Sequence, residues 1–399
     1  MNKKTSKLMA LFLCCILLVV RFSGCIEEEQ KTEEIPIPEV KLDQPSILPD
    51  WKDGEYHDYY ETTDMLSDFK VKYPYLVNVF SIGESVLGKD IWCIRLTNEK
   101  NNQIKSSCLI DGCIHGCEWE AGEACLYLAE YLLINFEANE TITHILNSSE
   151  VYIIPLVNPD GRQENVRWND NGIDLNRNFD VDFGRLRGHS IRLGKLFGLI
   201  KIPYIKVGNL MEKLLNRFNK ELPFWGDLSN CGRHPFSEPE SQAIKNLMEQ
   251  IGFNDFSFYV NCHTAAHGVW IPWAVLKPPF EMTEQETNIF NDIMNWVEKN
   301  TEYEPVSVLV YKDKNVYISG MAQDWFYKEY RIPSFSFEIL SEDYEMWMGQ
   351  GRHDNLVHWM KTTLPFFMYL LVNIDNLRQW KTPDIQPLFP EGVPPEPLN

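Results

Sequence analysis

The sequence predicts an α/β protein with a mixed, mostly parallel central β-sheet and helices on both faces. Three observations predict it. Short apolar runs with little polar alternation recur along the chain (SSCLIDGC, FSFYVNCH, PSFSFEIL), as expected of strands covered on both sides. Stretches with apolar residues at helical spacing, such as EACLYLAEYLLINF, lie between strand-like runs. The 399 residues, 44% hydrophobic and 24% charged, suffice for one large domain with extensions.

The first 25 residues stand outside that domain. Lys3, Lys4 and Lys7 precede the apolar run LMALFLCCILLVV at 8–20, and FSGC puts small residues before Cys25. This reads as a lipoprotein-like signal peptide over 1–25, with Cys25 as the lipidated first residue of the mature chain. The apolar run is shorter than the roughly 20 residues a spanning helix needs. Export follows, with the protein held at the cell surface by a lipid or an uncleaved anchor, or secreted. Residues 26–50 are acidic and proline-rich and read as a tether. The formal net charge of −20 excludes nucleic acid as a partner, because its phosphates would be repelled.

A catalytic domain is expected over 51–380. YYETTDMLSDFKVKYP has helical spacing and stops at Pro74; LVNVFSIG and KDIWCIRLT flank a turn and read as a hairpin. SSCLIDGC is a strand leading into HGCE, and VYIIPLVNPDG is a strand ending in a turn. Residues 185–230 are locally basic, lack strand alternation and read as an insertion. SEPESQAIKNLMEQIG resumes a helix that Ser237 can cap. FSFYVNCH and PSFSFEIL are buried strands, and 381–399 is a proline-rich tail. Asn139-Glu140-Thr141 and Asn147-Ser148-Ser149 match the glycosylation sequon. Seven cysteines follow Cys25; the odd number means that not all can pair within the chain.

Three strand-like runs end in candidate functional residues: His115, His263 and Glu338. In open α/β sheets such residues gather beyond the carboxyl ends of the strands. His115 and Glu118 offer two metal donors from one turn and His263 a third, which leaves a position for water. A closed structural site from Cys113, His115, Cys117 and Cys262 is the alternative, but it accounts for neither Glu118 nor the downstream polar residues.

Beyond the spacing of the donors, the order HGCEW, NPDGR, RWNDNGIDLNRNF, PFSEPE, His263 with Pro272 nine residues on, and DWFYKEYRIPSFSFE resembles the zinc carboxypeptidases of the A/B type, from about Tyr56 to about Leu370. The resemblance implies one zinc ion held by His115, Glu118 and His263. It makes Glu338 the general base and Arg167 the stabiliser of the oxyanion. Asn176 and Arg177 would grip the substrate's terminal carboxylate, and Tyr317 would close on the substrate. Gln323 would lie at the floor of the pocket for the last side chain, with Ala274 nearby, which suits neutral residues. His267 is expected in a loop, as a neighbour and not a ligand. The expected partners are peptide or protein C-termini. Cell-wall cross-link peptides, or peptide binding without catalysis, are the other functions compatible with these residues.

Overall fold

The computed structural model describes residues 46–184, 230–252, 256–275, 278–306, 318–340 and 355–379. The signal peptide with Cys25, residues 185–229 of the insertion, Tyr317 and the tail lie outside the described residues.

Helix α1 (Tyr59–Lys72) begins at a reciprocal cap. The Asp58 carboxylate accepts from the Tyr60 and Glu61 amides, and Glu61 accepts from the Asp58 amide. It ends at Tyr73, just before Pro74, with Lys70 and Lys72 at the negative end of its dipole. Strands β1 (Val77–Glu84) and β2 (Asp90–Leu96) form the expected antiparallel hairpin, Val77 facing Leu96.

Every residue of β3 (Ser106–Asp111) is buried, and so is every residue of β5 (Phe256–His263). That is the signature of strands covered on both faces. Helix α2 (Trp119–Asn135) starts immediately after Glu118 and is buried along most of its length. Helix α3 (Glu140–Ser148) starts at Asn139, whose side chain accepts from the Ile142 amide. Asn139 is only 6% exposed, so the first sequon asparagine is a buried cap and not an accessible glycan acceptor. Strand β4 (Ser149–Ile154), helix α4 (Pro159–Glu164) and helix α5 (Pro239–Ile251) follow. Ser237 does not cap α5: its hydroxyl donates to Glu238, which takes the cap position without a side-chain bond to the helix.

The remaining elements are β6 (Gly268–Trp270), α6 (Glu284–Asn300), β7 (Glu304–Val306), α7 (Ala322–Tyr330), β8 (Ser334–Glu338), α8 (Leu356–Val372) and α9 (Ile374–Gln379). The sheet order is β1-β2-β4-β3-β5-β8-β6-β7. Its centre, β4-β3-β5-β8, is parallel throughout, and antiparallel pairs flank it at β1-β2, β2-β4 and β8-β6. Phe335 and Phe337 of β8 pack on Phe366 of α8, ring centroids 5.5 and 5.1 Å apart. Burying each such ring stabilises the fold by about 1.5–3 kcal/mol. Among the described residues no helix is long and apolar enough to cross a membrane.

Candidate metal centre and active site

The parallel strands all run the same way, so their carboxyl ends open onto one side of the sheet. β3 ends at Asp111, and His115 and Glu118 lie on the turn that joins it to α2. This turn needs Gly116: a Cβ there would lie 2.0 Å from the carbonyl carbon of Gly161, so the HGCE turn rests directly on the NPDG turn. Asn158 braces the contact, accepting from the Gly161 amide while its own amide faces the carbonyls of Ile114 and Arg167.

β5 delivers His263, and its register with β8 sets Glu338 directly opposite. One donor atom each from His115, Glu118 and His263 lies within 4.8 Å of the others, and all three residues are buried. Among the described residues this is the one cluster of three or more metal-donor side chains. Two imidazoles and a carboxylate fit a zinc ion that retains an open position. The ring Nδ1 atoms of His115 and His263 approach the two Glu118 oxygens at 2.7 and 2.8 Å. Burial opposes the charge on Glu118, but the two imidazoles outweigh it and hold the carboxyl below its usual range.

The thiols take no part in this cluster. Cys113 donates to the Glu118 carbonyl at 3.1 Å, and no thiol lies among the clustered donor atoms. The Cys–His alternative is therefore not the arrangement found. His267 turns away from the cluster to pack on Tyr303 and Trp359.

The RWNDNGIDLNRNF stretch supplies the polar wall. Asp174, which the sequence reading passes over, is its hinge. One carboxylate oxygen faces His115 Nε2 at 3.0 Å and the other accepts from Arg167 Nε at 2.8 Å. A carboxylate behind a metal-binding histidine is a general feature of such sites, and that was the available signal. Arg167 also reaches Glu118 through Nη1 at 3.3 Å. Burial works against the Arg167 charge, but Asp174 and Glu118 more than restore it. Arg177 is held down to about 10, burial outweighing the pull of Asp174. Burial first, then the Glu118 charge, pushes the Glu338 carboxyl up to about 8.

Two further contacts hold this wall. Glu238 accepts from Asn169 and Asn171, and Glu240 accepts from Asn169, so PFSEPE clamps the NDNG turn. Beyond it, the Asp174 amide donates to the Asn230 carbonyl, and Asn178 bonds Cys231, Ser237 and Ser241. The start of α7 docks on the same stretch. Its Ala322 amide donates to Asn176 Oδ1 at 2.8 Å, and a Cβ on Gly320 would lie 2.2 Å from the Arg177 carbonyl oxygen. Gln323, in the first turn of α7, is fully buried, with the Asp324 carboxyl as a neighbour of its side chain. Ala274, Met321 and Ile318 form an apolar cluster, and the Ala274 amide donates to Asp324, the residue after Gln323.

The fold and the donor set define a class: an α/β protein with a single mononuclear metal site at the carboxyl edge of its sheet. Within that class the chain belongs to the zinc carboxypeptidase family, whose model matches residues 62–194 and 226–357. The chain is 23% identical over 307 residues to carboxypeptidase A6 of Homo sapiens, covering 72% of this chain and 61% of that protein. It is also 23% identical to carboxypeptidase O of Bos taurus, covering 74% and 72%. The chain thus spans less than two thirds of the length of carboxypeptidase A6. Among solved structures, thrombin activatable fibrinolysis inhibitor shares the fold at a TM-score of 0.60 and 18% identity, covering 81% of this chain and 75% of that one. Carboxypeptidase A from Helicoverpa armigera matches at 0.60, with 18% identity and coverage of 82% and 74%.

Proposed function

We propose that this protein is an exported zinc carboxypeptidase that hydrolyses the C-terminal peptide bond of peptides and proteins. The observation that carries the reading is the meeting of His115, Glu118 and His263 with Glu338 across the β5–β8 register. His115, Glu118 and His263 would hold a zinc ion, which when bound would lower the pKa of water toward roughly 7 and polarise the scissile carbonyl. Glu338 takes the proton of the attacking water and hands it to the departing amine nitrogen. Arg167 faces the oxygen on which charge develops, with its guanidinium held in place by Asp174. Arg177, whose planar fork suits a carboxylate, and Asn176 take the substrate's terminal carboxylate, which restricts cleavage to chain ends. Tyr317 closes on the bound substrate.

Gln323 sets the preference for the last residue. Its uncharged amide, next in the chain to Asp324, on which the small Ala274 is anchored, favours neutral side chains over basic or acidic ones. Burial pushes the neighbouring Asp324 up to about 7, which further lowers the local charge. The leader and Cys25 place the enzyme at the cell surface, tethered through residues 26–50.

The test is a peptide panel incubated with the purified protein, with and without chelator, and with Glu338→Gln. Stepwise loss of C-terminal residues, abolished by both treatments, is expected. Cleavage at internal bonds would overturn the reading.

A further inference from the structure

The two metal-site histidines are supported differently. His115 has a carboxylate, Asp174, directly on its Nε2. Behind His263 stands a neutral amide, Asn261, and behind that a buried carboxylate, Asp111.

The sheet creates this arrangement. Residues two apart on a strand share a face, so Tyr259, Asn261 and His263 line up along β5. The parallel register pairs Asp111 of β3 with Asn261. Tyr259 donates its hydroxyl to one Asp111 oxygen at 2.7 Å, and the Asn261 amide group donates to the other. All three side chains are fully buried.

His263 Nε2 lies between two primary amides with opposite demands. Asn176 is pinned by the Ala322 amide, which donates to its Oδ1, so its Nδ2 points at His263 Nε2 at 3.1 Å. Asn261 presents Oδ1 to the same nitrogen. Asn176 therefore favours a bare Nε2, which would leave the proton on Nδ1. Asn261 favours a protonated Nε2, which leaves the Nδ1 lone pair facing the metal cluster. An imidazole can ligate only through the nitrogen that carries no proton.

An asparagine amide offers an acceptor on one side and a donor on the other, and its flip state follows its partners. Tyr259 already donates to one Asp111 oxygen and the other accepts from Asn261, so Asn261 turns its NH2 toward Asp111 and its oxygen toward His263. We infer that Asp111 is a positioning residue that, by fixing the flip of Asn261, holds His263 in its Nε2–H tautomer with Nδ1 bare for the metal. Without Asp111, Asn261 could turn its NH2 to His263; both amides would then donate to Nε2, and the proton would move to the ligating nitrogen.

The inference rests on the proposed metal site, and its test separates the two. The full chain, with 15N-labelled histidine, is loaded with zinc alone and titrated with a competing chelator. His263→Ala must abolish tight zinc binding; if it does not, the site itself is misassigned. Asp111→Asn can offer either an oxygen or an NH2 to Asn261, and it should weaken zinc binding by about 10–100-fold and lose the His263 Nε2–H resonance. The exchange Asp111→Asn with Asn261→Asp puts an acceptor back on Nε2, and both signals should recover. Loss of thermal stability in Asp111→Asn, with zinc affinity and the Nε2–H resonance unchanged, would overturn the inference. Should the single variant not fold, the exchange variant decides: affinity near that of the unmodified protein supports the inference, and weak binding overturns it.

Discussion

Replacing Arg167 with alanine separates transition-state stabilisation from metal binding. The guanidinium is bonded at 2.8 Å to Asp174 and lies 3.3 Å from a Glu118 oxygen, so in the proposed mechanism it would stand beside the developing oxyanion without being a metal donor. Loss of one such donor costs about 10²–10³ in kcat, or about 2.7–4 kcal/mol. Because the interaction forms only as charge develops, KM should change little. Removing a cation from beside Glu118 relieves its repulsion of a dication, so zinc should bind at least as tightly as before. Asp174 loses a partner while buried, which destabilises the fold by up to about 3–5 kcal/mol, since a buried carboxylate is left less compensated. The assay is steady-state kinetics on a C-terminal peptide, with bound zinc measured by metal analysis and the melting temperature recorded. Unchanged kcat with a raised KM would refute the reasoning, because Arg167 would then bind the ground state. Zinc loss that matches the fall in kcat would refute it too.

Glu338→Gln should lower kcat by at least about 10²–10⁴ with zinc retained, read by metal analysis beside the kinetics. The pH profile follows from the same carboxyl. Its pKa is raised by burial and by Glu118, so Glu338 is protonated and inactive as a base at low pH, and kcat/KM should climb as pH rises through that pKa. Zinc offsets the Glu118 charge, so the midpoint is expected below about 8 and above the ordinary carboxylate range; a profile flat across that interval would exclude Glu338 as the base. Arg177→Lys keeps the charge but loses the fork, and should raise KM for peptides with a free C-terminus by about tenfold, the loss of about 1.4 kcal/mol, with kcat altered less. Gly320→Ala puts a Cβ where φ is +72° and the Arg177 carbonyl is already in contact, so the melting temperature should fall and KM rise together.

The metal cluster was legible in the sequence because its donors are chemically distinctive: two histidines follow strand-like runs, and Glu118 lies three residues after one of them. The place of Glu338 at the end of β8, opposite His263, was legible because it too closes a strand-like run. Asp111 and Asn261 were not, because nothing joins them except the register of β3 with β5 across 150 residues. Asp174 lay in plain view between Arg167 and Asn176, but its task depends on where His115 turns its far nitrogen. Helix α3 is short, and its Asn139 cap carries the same letters as a sequon. Helix α8 is apolar on most sides and holds Pro365, so it lacks the polar stripe by which an amphipathic helix is read. The Ser237 cap failed for a local reason: that hydroxyl had a nearer acceptor in Glu238.

The stitching around Asn178 reaches beyond the site itself. Asp174 is tied to Asn230, and Asn178 to Cys231, Ser237 and Ser241, so the described residues before 185 and after 229 are fastened to one another. The entropy of closing a loop grows only with the logarithm of its length. A hem sewn at its two edges lets the cloth between be cut long or short. With both ends tied in this way, a change in the length of the chain between them costs little closure entropy and leaves the bonds of Asp174 and Asn178 in place.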